Sequence, residues 1–157
     1  MLRHELLELK EQKYVGIKTS ILFSEAEKVD FSQLHQAVCA ARIHDIDHDA
    51  HFMAMDADFT ERSFSYTPLV PVHSFDNNKG YTQFTRAQGA YCAFAVKAKD
   101  LNPAWFKKVF DYIEENRIPI EPTGYDLEYY DENYLAMIGS QDFPAERVLK
   151  ILLRMQR

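Results

Sequence analysis

Apolar residues along the chain change period several times, and each change marks an element. Leu6-Leu7-Glu8-Leu9 fits a helical turn or a strand equally well. Residues 14–23 are dense in β-branched and aromatic side chains and predict a strand, within which Gly16 marks a bulge or a close backbone approach. The period then lengthens. Phe31, Leu34, Val38 and Ala41 recur at helical spacing behind Asp30, which forms a capping-box pattern with Gln33, so a helix is expected over 31–43. Alternation returns in 51–58 and in 63–72, two strands joined by the polar 59–62 connection, with Pro68 and Pro71 making the second irregular or an edge. Residues 76–80 are a turn by composition. After it, 81–86 and 90–99 flank Ala87-Gln88-Gly89 as an expected hairpin, and its second arm is apolar on both faces, which suits the interior of a sheet.

A second helix follows. Asn102 can cap it, Pro103 suits its first position, and Phe106, Val109, Phe110 and Ile113 form one stripe with Trp105 and Tyr112 to the side. Residues 116–119 end it. At the end of the chain, Leu149, Ile151, Leu153 and Met155 alternate with Lys150 and Arg154, the signature of a strand, though a short helix after Pro144 also fits. Between these lies Gly124-Tyr125-Asp126-Leu127-Glu128-Tyr129-Tyr130. As a strand it sends Glu128 to one face with Asp126 and Tyr130, and Leu127 and Tyr129 to the other. A carboxylate set in aromatic surface is a candidate site; an edge strand whose acid faces water is the alternative.

The resulting order describes an α+β fold of two similar β-α-β-β units, with a mostly antiparallel sheet and both helices on one face. Its 157 residues suit one domain spanning 1–157. A net charge of −6 disfavours gripping nucleic acid, and no apolar run approaches a membrane span. Cys39 and Cys92 lie in apolar runs, which suits reduced, buried thiols and hence the cytoplasm. His44-Asp45-Ile46-Asp47-His48-Asp49-Ala50-His51 has the ligand types for a divalent metal, but the segment reads better as a polar connection. We assign neither a metal nor a cofactor from it. No Gly-rich phosphate loop or nucleophile elbow occurs.

Several stretches together carry a resemblance: residues 9–17, Phe64-Ser65-Tyr66 with Pro71-Val72, Gly89-Ala90-Tyr91-Cys92-Ala93-Phe94, the loop 118–124 after the second helix, Glu128-Tyr129 and the closing strand. They resemble the GyrI-like small-molecule-binding domain, which is also the effector-binding domain of many AraC- and MerR-type bacterial transcription regulators. The resemblance implies a duplicated fold whose helices frame a ligand cleft. It puts Glu128 at the cleft floor, Tyr66 and Tyr91 on strands lining it, and Trp105 at the rim. It also implies multidrug-type binding of a cationic or amphipathic aromatic ligand, and carboxylate chemistry among aromatic faces agrees with that.

No helix-turn-helix precedes the matching region, so direct nucleic-acid binding is not expected; the chain reads as a stand-alone domain or as a piece of a longer regulator. Two alternatives accompany the sensor reading. One is a GyrI-like hydrolase of small electrophiles, with Glu128 as general base and Tyr66, Tyr91 or Tyr130 as proton donor. The other is an inhibitor that docks on a DNA-acting enzyme, for which a protein partner or a homodimer is expected.

Overall fold

Two copies of one strand plan account for the order of elements. The computed structural model describes residues 1–131, 134 and 147–157. The first copy comprises β1 (Glu5–Leu9), β2 (Gln12–Gly16), β3 (Thr19–Leu22), α1 (Phe31–Ala40), β4 (Met53–Ala57) and β5 (Ser63–Val72). The second comprises β6 (Thr82–Arg86), β7 (Gly89–Lys97), α2 (Pro103–Glu115), β8 (Asp126–Tyr129) and β9 (Val148–Arg154). Short 3-10 turns at Phe23–Lys28 and Ala98–Asp100 precede the helices. Within the first copy the strands lie in the order β2-β5-β4, and within the second in the equivalent order β7-β9-β8. The two copies meet where β4 pairs β8, with Met55 opposite Leu127. This is the duplicated α+β architecture expected from the sequence.

A second junction closes the sheet. β1 pairs β7 and β2 pairs β6 in one continuing register, Leu9 opposite Gly89 and then Gln12 opposite Arg86, so β1–β2 and β6–β7 act as two long strands lying side by side. Following hydrogen-bonded neighbours from β5 through β2, along to β1, then β7, β9, β8 and β4, returns to β5. The antiparallel sheet is therefore curled until its ends meet. The expected hairpin across Ala87-Gln88 does not form. Those two residues carry the chain onward instead of reversing it, because β1 and β2 together offer a ladder that both arms can join.

Strand 14–23 likewise divides into β2 and β3, both of which pair with β5. Gly16 sits at the break, where an added Cβ would lie 2.1 Å from the Pro68 carbonyl oxygen. β5 is interior, yet Pro68 pairs with Ala54 on one side alone, and Pro71 pairs with Tyr14 while the segment on its other side uses only its carbonyl, which accepts from the Asp47 N–H at 2.9 Å. A missing N–H costs nothing there.

Both helices are capped as expected. The Asp30 carboxylate accepts from the Gln33 N–H at 3.3 Å and the Asn102 side chain from the Trp105 N–H at 2.9 Å. Alternation within the strands sorts apolar side chains into two cores. Val38 of α1 and Val109 and Ile113 of α2 pack on one face, with Ala54, Tyr66, Phe94 and Ile151. The other face holds Tyr14, Met53, Leu69, Tyr91, Leu127 and Leu152, packed on one another inside the curl with no helix residue among them. Two expectations about burial need correction. Phe110 is 48% exposed, lying on the flank of α2 away from the sheet, and Cys39 is exposed while Cys92 is buried. Among the described residues no helix is long and apolar enough to cross a membrane.

Candidate functional site

The junction of the two copies concentrates acid. α1 packs over β5, and α2 lays Tyr112 against Phe94 of β7, so the β4–β8 pair lies between the helices. On that pair Ala54 is opposite Glu128 and Asp56 opposite Asp126, so strand alternation turns Asp56, Asp126 and Glu128 to the helix-covered face together. Glu128 is 6% exposed and hydrogen-bonds to the Asp56 carboxyl. Among the described residues no lysine or arginine forms an ion pair with any of the three.

Protonation follows from that isolation. Burial, then repulsion from Glu128, holds Asp56 well above the usual carboxylate range; burial also raises Glu128, while its hydrogen bonds from Asp56 and Tyr130 pull it back. The two carboxyls therefore share a proton that neither would hold alone in water. Burial and the Glu128 charge push Asp126 up to about 6.

A chain of aromatic hydroxyls leads to this carboxylate. Tyr130 donates to Glu128 Oε1 at 2.9 Å, the Tyr66 hydroxyl lies 3.2 Å from that of Tyr130, and His35 Nε2 lies 2.6 Å from Tyr66. Tyr134 bonds the other ring nitrogen, Nδ1, of His35. Burial lowers His35 to about 3, so it is neutral and carries one N–H. A Tyr134 hydroxyl donating to Nδ1 and an Nε2–H donating to Tyr66 let every link point towards Glu128, which fixes the tautomer. The rings interlock as well. Tyr130 stacks on Tyr134 at 4.6 Å, and Phe31 meets Tyr66 edge-on at 4.8 Å.

Tyr134 also borders open space. A cleft of about 350 Å³ is lined by His48, Asp49, Ala50, His51, Phe52, Asp131 and Tyr134. The His/Asp-rich string thus supplies cleft wall; among the described residues no group of three metal-type side chains is close enough to hold an ion.

Of the side chains expected at the site, Tyr66 and Glu128 come together through Tyr130. Tyr91 does not join them. Residues 91 and 93 of β7 alternate with 92 and 94, which puts Tyr91 inside the curl, its hydroxyl donating to the Ala87 carbonyl at 2.7 Å. Trp105 is half-buried against the helix-side core with its ring beside Phe106. His35, Asp56 and Tyr134 join the cluster although their sequence context barely marks them. A lone acid in the apolar run Phe52-Met53-Ala54-Met55 and a histidine among the apolar positions of α1 were the available signals; Tyr134 had none.

No family model and no curated relative matches the chain. Solved structures do. SAV2435 bound to tetraphenylphosphonium is similar over 98% of this chain and 94% of its own, at 15% identity and a TM-score of 0.67. A putative bacterial transcription regulation protein from Staphylococcus aureus MU50 is similar over 100% of both chains, at 17% identity and a TM-score of 0.62. The C-terminal domain of EcmrR is similar over 100% of this chain and 99% of that one, at 14% identity and a TM-score of 0.63. At such identities the likeness is one of fold, and it is the fold expected of a GyrI-like effector-binding domain.

Proposed function

We propose that the chain is a small-molecule-binding domain of the sensor type, taking a cationic, amphipathic aromatic ligand on its helix-covered face. Glu128 is the charge anchor, Tyr66 and Tyr130 are aromatic walls, and Trp105 contributes to the rim. The observation that carries this reading is the half-buried Asp56 hydrogen-bonded to the buried Glu128, under aromatic rings and, among the described residues, with no lysine or arginine paired to either. Two carboxyls in that setting keep a proton that neither would hold in water, and an organic cation could replace it. Ring faces would then share the cation's charge. The tetraphenylphosphonium carried by SAV2435 is an organic cation of this class. Such a domain would transmit occupancy to a DNA-binding partner, in the same chain or in another.

Thermal shift with tetraphenylphosphonium, a neutral aromatic and an organic anion tests the reading on wild type and Glu128→Gln. Ligand that binds only the native state raises Tm by mass action. Stabilisation of the wild type by the cation, lost in folded Glu128→Gln, is expected; equal stabilisation of both proteins would refute the anchor role.

The Tyr130 hydroxyl, 2.9 Å from Glu128, favours a second reading, hydrolysis of a small electrophile with Glu128 as base and Tyr130 as proton donor. Turnover of an epoxide or activated ester that disappears in both Glu128→Gln and Tyr130→Phe would select it.

A further inference from the structure

The inside of the curl has the opposite charge problem. Arg86, on the same face of β6 as Phe84, is 7% exposed. Among the described residues its guanidinium meets only neutral groups: it donates to the Tyr14 hydroxyl at 2.9 Å, to the Lys10 carbonyl at 3.1 Å and towards Met53 Sδ at 3.9 Å, and it lies 5.8 Å from the Tyr14 ring. The Nε–H is buried and has no hydrogen-bond partner among the described residues. Burial holds the phenols of Tyr14, Tyr91 and Tyr129 above their ordinary range, so none of them supplies a counter-charge. Other cations of this face are matched. Lys150 pairs with Glu5 at 2.6 Å and Arg154 with Glu121 at 3.2 Å. Among the described residues Arg86 is left as the cation of this face without a carboxylate.

Removing a guanidinium from water is costly unless a carboxylate or comparable anion meets it, and neutral acceptors recover only part of that cost. The side chain suited to the task is also the one present: Nε–H beside a terminal N–H forms the fork that grips a carboxylate at two points. Around it the wall is aromatic. Phe84 lies 6.5 Å from Tyr14 and meets Tyr125 edge-on at 5.3 Å. Leu7, Leu9, Phe84, Tyr125 and Tyr129 are only partly buried, so this face is not sealed from solvent.

We propose that the enclosed face of the curled sheet is a second ligand site, separate from Glu128, that takes a small carboxylate with an aromatic or apolar body, its charge on Arg86 and its body against Phe84, Tyr125 and Tyr129. The two faces of one sheet then select ligands of opposite charge, the acid pair on the helix side and the guanidinium within the curl.

The probe is benzoate, with benzamide and chloride as controls. In the wild type, the Arg86 Nε–Hε resonance should move saturably with benzoate and stay still with benzamide and with chloride at equal ionic strength. By calorimetry, Arg86→Met should weaken benzoate binding about tenfold or more, the loss of a charge-assisted pair, while Glu128→Gln leaves it unchanged. Should Arg86→Met fail to fold, the wild-type titration decides alone. An Arg86 resonance unmoved at saturating benzoate, a response matched by chloride or benzamide, or a folded Arg86→Met that binds equally well overturns the proposal. Because Glu128 takes no part, failure here leaves the cation reading intact, and the reverse holds too.

Discussion

Replacing Asp126 by Asn should stabilise the protein at alkaline pH and leave it nearly unchanged in acid. Asp126 is half-buried next to Glu128, and burial followed by the Glu128 charge raises it from 3.8 to about 6. A carboxyl raised on folding contributes stability that is fully present below its unfolded value and is lost as pH rises through its folded value. The window is therefore about pH 4 to 6.5. A rise of about two units amounts to roughly 3 kcal/mol once the group is ionised in both states. Some solvent reaches Asp126 and screens the Glu128 charge, so this is a ceiling. Asn mimics the protonated acid and should recover most of that loss at pH 8. At pH 4 the two proteins should differ by no more than roughly 0.6 kcal/mol, apart from a constant offset.

His35 works in the other direction, since a base lowered to about 3 contributes stability above pH 6.5 that is lost in acid. It is present in both proteins and cancels in their difference. Urea titrations at pH 4 and pH 8 measure the effect; with a slope of roughly 2 kcal/mol per molar, the ceiling corresponds to a midpoint shift of roughly 1.5 M. Because the Glu128 charge is part of the cause, the gain should shrink in a Glu128→Gln background. A gain equal at both pH values would show that Asn acts by packing and would refute the electrostatic account, as would no gain at all.

Two further outcomes follow from the geometry. Gly16→Ala saves unfolded-state entropy worth about 0.4–1 kcal/mol, but its Cβ would meet a backbone oxygen at 2.1 Å, so the net effect should be a loss of at least about 1 kcal/mol in the urea midpoint analysis. Tyr66→Phe removes the acceptor for His35 Nε2–H in a buried setting and should cost about 1–3 kcal/mol; a neutral result would mean that the His35 tautomer is not the one the hydrogen-bond chain requires.

The parts of the fold that local chemistry writes were legible. Asp30 and Asn102 declared their helices, and alternation in 124–130 separated Glu128 from Leu127 before any pairing was known. Partner choice was harder to read. The Ala87-Gln88-Gly89 stretch looks like a turn, but whether it reverses depends on β1 and β2, about 75 residues earlier in sequence. The same dependence hid Asp56. It becomes part of the acid cluster only because β4 meets β8, and nothing near residue 56 announces residue 128. The face of Tyr91 was hidden for the complementary reason: its strand was legible, but the face it occupies is set by the register of β7 against β9.

That duplicated plan suggests a protein that can be taken apart. Lys79 and Gly80 are exposed, in the connection between the two copies. A nick there gives one fragment with β1 to β5 and α1, and another with β6 to β9 and α2. Three strand pairings then run between fragments: β4 with β8, β1 with β7 and β2 with β6. Neither fragment could satisfy those edges by itself, so the pieces should be poor folders apart and avid partners together. Asp56 belongs to one and Glu128 to the other. The proposed cation response would thus be a property of the reassembled pair, and a split reporter built on it would need both complementation and ligand.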